Sequence, residues 1–345
     1  MTDTVSADDE RYMRLAVANA DTVRLLAPPN PWVGAVLVAA DGAVHQGATA
    51  APGGAHAEVL ALERAGTAAA GATVYTTLEP CAHHGRTGPC ADALIDAGVR
   101  RVVIGVLDPD RHVTGRGAVR LREAGIDVTV GAAAAEINEQ LRSYLHHRRT
   151  GRPWVVCKLA MTVDGRIAAP DGTSQWITGA AARADAHRLR AESGAIVVGA
   201  GTVRADDPSL TVRDHVPTGD TPAGDLSPRR VVLGKVSPDA RVQPAQAYDG
   251  PLGALLDELG AEGVLQVLVE GGAAVAGEFH RQGLVDEYVI YVAPALLGGE
   301  DGRALLAGPG AGTMGDVWRG QFVSVDRIGD DVRMVLRPAP AGSRS

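Results

Sequence analysis

Three residues of the types that bind soft metal ions recur at short intervals in this 345-residue chain: His56, Cys81 and Cys90. One imidazole and two thiolates suit zinc, whose catalytic sites take three protein ligands and keep a fourth position open. Two thiolates cancel the charge of the dication, and the metal still lowers the pKa of water at the open position towards neutrality. Glu58, two residues beyond His56, is then placed to carry protons between water, substrate and leaving group. The other arrangement for these ligands is a closed structural site completed by His83 or His84, but that gives Glu58 nothing to do. Cys157 lies in an apolar run and reads as a small core residue. Three cysteines are too few for a disulfide framework in a chain of this size.

The second half carries chemistry of another kind. Glu270-Gly271-Gly272 falls between an apolar strand and a predicted helix, where bare backbone amides can cradle a phosphate; a tight strand-to-helix turn would read the same way. Gly199-x-Gly201 lacks the third glycine of a dinucleotide fingerprint, so a Rossmann fold is not expected. Only Lys158 and Lys235 are available for Schiff-base chemistry.

These residues need layered elements to hold them. In the first half, helices are predicted over 10–26, 55–65, 89–97 and 117–124, a hairpin over 33–38 and 43–48, and strands over 73–78 and 101–107. The stretch 141–153, with His146-His147-Arg148-Arg149 and then Gly151 and Pro153, reads as a helix end and linker. The second half shows strands over 154–159, 195–199, 230–233, 264–269 and 287–292, and helices over 180–191, 252–259 and 273–282. Residues 214–228, rich in Pro, Gly, Asp and Thr, read as an exposed loop. Alternating strands and helices in both halves predict an α/β protein of two domains, 1–147 and 148–345.

Hydrophobic residues make up 46% of the chain and charged residues 21%, a globular balance. The net charge of −8 argues against a nucleic-acid partner and leaves small anionic substrates open. No apolar run is long enough for a membrane span, and Met1 to Glu10 lacks the features of a secretory signal, so a cytoplasmic protein is expected.

His56-x-Glu58 with a later Pro80-Cys81 and Cys90 is the pattern of zinc hydrolytic deaminases. Here Ala82 to Pro89 separate the cysteines, a longer insert than in deaminases of nucleosides and nucleic acids. With Glu79-Pro80-Cys81-Ala82-His83-His84-Gly85-Arg86-Thr87-Gly88-Pro89-Cys90 and Asn30-Pro31-Trp32-Val33-Gly34, the first half resembles the deaminase domain of the bifunctional riboflavin-biosynthesis family. That family joins a diaminohydroxyphosphoribosylaminopyrimidine deaminase to a 5-amino-6-(5-phosphoribosylamino)uracil reductase. Lys158 to Arg166, Ser174 to Gly179, Val198 to Arg213 and Leu268 to Gly272 resemble its reductase domain, so the likeness covers nearly the whole chain.

The resemblance implies a cytidine-deaminase-like three-layer α/β/α domain followed by a dihydrofolate-reductase-like α/β domain. It implies zinc and NADPH as cofactors, a pyrimidine ribotide as substrate, and a homo-oligomer. It places the deaminase substrate on Asn30, Arg86 and Asp108, and NADPH on Ala160, Trp176, Thr202, Asp206, Gly271 and Gly272. Lys158, Ser174, Arg190, Leu210, Arg213 and Glu270 would face the reductase substrate, with Lys158 and Asp206 orienting the sugar or moving a proton. Asp110 and Arg111 depart from the family's usual Asn and Pro or Gly, which exchanges an amide for a carboxylate beside the substrate. Gly88, Gly194 and Ala295 replace a usual proline, aspartate and lysine, and 233–264 looks short by a strand and a turn. Two alternatives stay beside this reading: an active deaminase with a degraded or repurposed reductase, and a zinc-stapled binding module without catalysis.

Overall fold

A computed structural model describes residues 4–82, 88–110, 113–213 and 226–339. The chain before Arg152 builds one compact unit, and the chain from Arg152 onward supplies the other. None of the described helices is long and apolar enough to cross a membrane.

The first unit opens with α1 (Ala7–Asp21), which starts three residues before the predicted helix because Ser6 and Asp9 form a capping box. The Ser6 hydroxyl accepts from the Asp9 amide at 3.1 Å, and the Asp9 carboxylate accepts from the Ser6 amide at 2.9 Å. There follow β1 (Gly34–Val38), β2 (Val44–Ala48), α2 (Ala57–Ala65), β3 (Thr73–Leu78), α3 (Cys90–Asp96), β4 (Arg101–Val106), α4 (Arg116–Glu123), β5 (Asp127–Val130), α5 (Ala134–Gln140) and α6 (Arg142–Thr150). The strands lie in the order β2-β1-β3-β4-β5. β1 is antiparallel to both neighbours, while β3, β4 and β5 run parallel. α1 packs on β1, β3 and α5, whereas α2 packs on β2 and β1 and continues through α3 to α4, which makes three layers.

The close seat of α2 depends on Gly47: a Cβ there would lie 2.0 Å from the carbonyl oxygen of Ala57, at the start of the helix that carries Glu58. β5 and α5 were not foreseen. The segment that reads as a helix end and linker is helical through Thr150, as α6, since Tyr144, Leu145 and His147 bury one side of the basic run. Gly151, with φ 76°, ends it in the left-handed conformation that suits glycine.

The second unit contains β6 (Trp154–Thr162), β7 (Arg166–Ala168), α7 (Ala180–Ala191), β8 (Ala195–Gly199), α8 (Ala200–Asp206), β9 (Arg229–Leu233), β10 (Gln246–Tyr248), α9 (Leu252–Ala261), β11 (Gln266–Val269) and α10 (Ala273–Arg281). It continues with β12 (Glu287–Ala293), β13 (Arg303–Ala304), β14 (Gly320–Ile328) and β15 (Asp331–Pro338). Eight strands form one sheet in the order β10-β9-β8-β11-β6-β12-β15-β14. It is parallel from β10 through β12 and antiparallel in its last two pairings.

Alternation along β6 sends Val155, Cys157 and Leu159 into one core with Leu255, Leu259 and Phe279, and Val156 into another with Ala182, Leu189 and Val203. Helices therefore cover both faces, and Cys157 is the buried core residue expected. Between 233 and 264, where the sequence looks short, the chain forms the three-residue strand β10, parallel to β9. The predicted loop falls mostly outside the described residues, at 214–225.

Candidate active sites

In the first unit the metal-binding residues arrive from three elements. His56 is the N-cap of α2, Cys81 follows the C-terminal end of β3, and Cys90 is the first residue of α3. Their ligand atoms all lie within 4.8 Å of one another, the one such group among the described residues. His56 Nδ1 is 3.1 Å from Cys90 Sγ and 3.6 Å from Cys81 Sγ, and the Cys90 amide donates to Cys81 Sγ at 3.3 Å. One borderline nitrogen donor and two sulfurs at this spacing fit a zinc ion. His83 and His84, the alternative fourth ligands, lie outside the described residues, as does Arg86.

Electrostatics in the pocket favour a negative charge on one sulfur, that of Cys81. Hydrogen bonding from Cys90, helped by His56, draws the Cys81 thiol down to about 4, while the same contact and burial push Cys90 up. The hydrogen bond to Cys81 raises His56. Glu58, 4% exposed, is pushed up to about 7, first by burial and then by the charge on Cys81. A carboxyl group with a pKa near neutrality can both accept and return a proton.

Of the predicted substrate contacts, Asn30 is half-buried in the turn where its amide donates to Ala27 at 2.9 Å. Asp108, just past β4, is buried, and burial raises its pKa. Its two oxygens accept from the Asp110 amide and the Tyr144 hydroxyl, each at 2.9 Å. Arg148, one turn along α6, lies over the Tyr144 ring at 5.0 Å and lowers the charge cost at Asp108. Tyr144 and Arg148 lie outside the predicted set, because the basic run that carries them reads as a solvated helix end and linker.

In the second unit the structure brings one part of the predicted set together. Arg190 Nε and a terminal nitrogen lie 2.9 and 2.8 Å from the same Glu270 oxygen, and another donates to the Thr211 carbonyl at 3.2 Å. The other Glu270 oxygen faces Lys158 at 4.0 Å and has no hydrogen-bond partner. Ala160 shares the face of β6 with Lys158, two residues apart. The Gly272 amide donates to the Thr202 hydroxyl at 3.2 Å, which ties the start of α10 to α8.

The rest of that set is looser. Leu210 is buried next to Thr211, and Ser174 is half-buried. Asp206 ends α8 in an exposed position, and exposed Arg213 donates its amide to His187 at 3.1 Å. Trp176 is 70% exposed, with the Arg183 guanidinium 4.6 Å over its ring.

Comparison with known proteins matches residues 6–106 to the cytidine and deoxycytidylate deaminase zinc-binding region, and residues 153–334 to the RibD C-terminal domain. The chain is 40% identical to the riboflavin biosynthesis protein RibD of Escherichia coli over 363 residues, which spans 95% of this chain and 99% of the relative. It is 43% identical to RibD of Mycobacterium tuberculosis over 340 residues, spanning 95% and 96%. Among solved structures, Acinetobacter baumannii RibD superposes with a TM-score of 0.90 at 37% identity, covering 96% of this chain and 99% of that one. A Thermotoga maritima diaminohydroxyphosphoribosylaminopyrimidine deaminase/5-amino-6-(5-phosphoribosylamino)uracil reductase gives 0.82 at 30% identity with the same coverage.

Proposed function

This chain belongs to the RibD family of bifunctional riboflavin-biosynthesis enzymes, and from that premise we propose how its residues divide the deaminase and reductase chemistry. The deaminase uses zinc and the reductase uses NADPH. The first reaction replaces the amino group of 2,5-diamino-6-(5-phosphoribosylamino)pyrimidin-4(3H)-one with oxygen and releases ammonia. The second reduces the ribosyl chain of the resulting aminouracil to ribityl. Deamination belongs to the chain through Gly151 and reduction to the chain from Arg152.

In the deaminase, His56, Cys81 and Cys90 hold zinc, and Glu58 moves protons. Zinc supplies the Lewis acidity that makes water nucleophilic near neutral pH. Glu58 takes a proton from the attacking water and hands it to the ring nitrogen, then carries the remaining proton of that oxygen to the amine, which leaves as ammonia as the carbonyl forms. Asn30 and Asp108 bind the pyrimidine, and Arg86 completes the contact set. Tyr144 orients Asp108 by donating to one of its oxygens. The observation that carries this reading is the convergence of three ligand atoms within 4.8 Å beside a buried glutamate.

In the reductase, NADPH would supply the hydride, and Gly271 and Gly272 at the start of α10 would hold its phosphates. Ala160, Trp176, Thr202 and Asp206 complete the cofactor contacts. Ser174, Leu210, Arg213 and the Lys158, Glu270 and Arg190 group face the ribotide. Lys158 gives the sugar its proton, held in place by Glu270, whose other oxygen is already committed to Arg190. A homo-oligomer is part of this reading, supported by the exposed Phe322, Val323 and Val325 on the edge strand β14.

The test is mass spectrometry of products formed from the diaminopyrimidine ribotide by the zinc-loaded protein. Exchange of one amine for oxygen with or without NADPH, and addition of two hydrogens only with NADPH, is the expected result. Substrate returned unchanged despite bound zinc would refute it.

A further inference from the structure

Glu79, directly after β3 and two residues before Cys81, is 4% exposed, and its carboxylate takes no part in the chemistry described above. Both of its oxygens are saturated by backbone amides. One accepts from Gly117 at 2.9 Å and Ala118 at 3.2 Å, the other from Gly115 at 2.9 Å and Asp108 at 3.3 Å. Gly115 is the N-cap of α4, and Gly117 and Ala118 lie in its first turn. The carboxylate thus caps a helix from outside it, where unpaired amides and the helix dipole both favour a negative group. The fourth bond reaches Asp108 itself.

The same segment is pressed against the zinc-ligand turn. A Cβ at Gly117 would lie 1.9 Å from the carbonyl oxygen of Pro80, the residue between Glu79 and Cys81. Only glycine lets α4 approach this closely. The metal ligands have separate support, from the Cys90 amide to Cys81 Sγ and from the seat of His56 on α2.

We propose that Glu79 is a positioning residue of the deamination site, which sets the distance between the zinc ligands and the Asp108 edge of the substrate pocket. The proposal rests on the reading that Asp108 contacts the ribotide. Losing the clamp moves the substrate edge more than the metal, so the damage falls on substrate binding. Glutamine keeps the size but not the chemistry: whichever way the amide is turned, its NH2 group faces two N–H donors.

The experiment uses the full-length, zinc-loaded protein carrying Glu79→Gln, with zinc content, ammonia release and NADPH oxidation measured on the same preparation. Full zinc content and parental reductase activity are expected, with KM for the diaminopyrimidine ribotide raised about tenfold or more and kcat within about threefold of the parent. An unchanged KM, or a fall in kcat alone at full zinc, overturns the proposal. Asp108→Ala run in parallel separates the two ideas. If it raises KM while Glu79→Gln does not, the clamp is refuted and the Asp108 contact stands; if neither raises KM, both fall. Should Glu79→Gln fail to fold with its zinc, Gly117→Ala carries the test, because it keeps the carboxylate and pushes α4 away from Pro80. The same rise in KM supports the proposal, and an unchanged KM overturns it.

Discussion

The two units build their sites in opposite ways. In the first, the described members of the proposed site are fixed by the fold: three ligand atoms converge within 4.8 Å, and Glu58 and Asp108 are buried. In the second, among the described residues of the proposed site, Lys158, Glu270, Arg190 and the Thr202 to Gly272 tie are assembled, while Trp176, Asp206 and Arg213 stand exposed. The contrast follows from the reactions. Hydrolytic deamination needs a metal and a proton carrier in fixed register, so most of its site can be built from protein. Hydride transfer joins two large ligands, and each of them supplies surface that completes the other's site.

The sharpest way to break this comparison is to remove the metal. Chelation of zinc should abolish ammonia release while NADPH oxidation with the aminouracil ribotide continues at the parental rate; equal loss of both would mean the units do not work separately. Next in size is Lys158→Met, expected to lower the reductase kcat by about a hundredfold or more as a proton donor is lost, with deamination untouched. Isothermal titration should show NADPH still bound, and a variant with full reductase activity would remove Lys158 from the mechanism.

A smaller effect should come from Tyr144→Phe, which deletes one hydrogen bond to Asp108. A loss of about 1 kcal/mol corresponds to a roughly fivefold rise in the deaminase KM, with the reductase unaffected.

Acid stability gives the smallest difference. Burial would raise the Asp9 pKa, but hydrogen bonds and charge attraction from Arg101, at 2.7 and 3.0 Å, with the Ser6 cap, bring it below its ordinary value. A lowered carboxyl pKa contributes stability that is present above the unfolded value near 4 and is lost as pH falls through the folded value. Asp9→Asn should therefore lower the urea midpoint of the first unit at pH 7 and reduce its fall in acid. An unchanged acid limb would show that the pair contributes little.

Legibility in the sequence followed the same division. The zinc set could be read because its side chains are chemically distinctive and sit at telling intervals, with Glu58 beside His56 and Pro80 beside Cys81. Tyr144 could not, since it meets Asp108 from a helix 36 residues away whose apolar face is hidden in a basic run. The role of Glu79 was hidden for another reason: all four of its partners are backbone amides, which leave no mark on residue type. The central strands of both sheets were plain from their apolar runs. β14 was not, because its polar Gln321, Ser324, Asp326 and Arg327 interrupt the pattern at an exposed edge, and β10 is only three residues long.

The claim that one chain holds two separate sites, with Glu58 moving protons in only one, is tested most directly by Glu58→Gln assayed for both reactions. The zinc-loaded variant should release no measurable ammonia from the diaminopyrimidine ribotide, yet oxidise NADPH with the aminouracil ribotide at the parental rate. Ammonia release at the parental rate would contradict the role of Glu58, and a parallel loss of NADPH oxidation at full zinc content would contradict the separation of the sites.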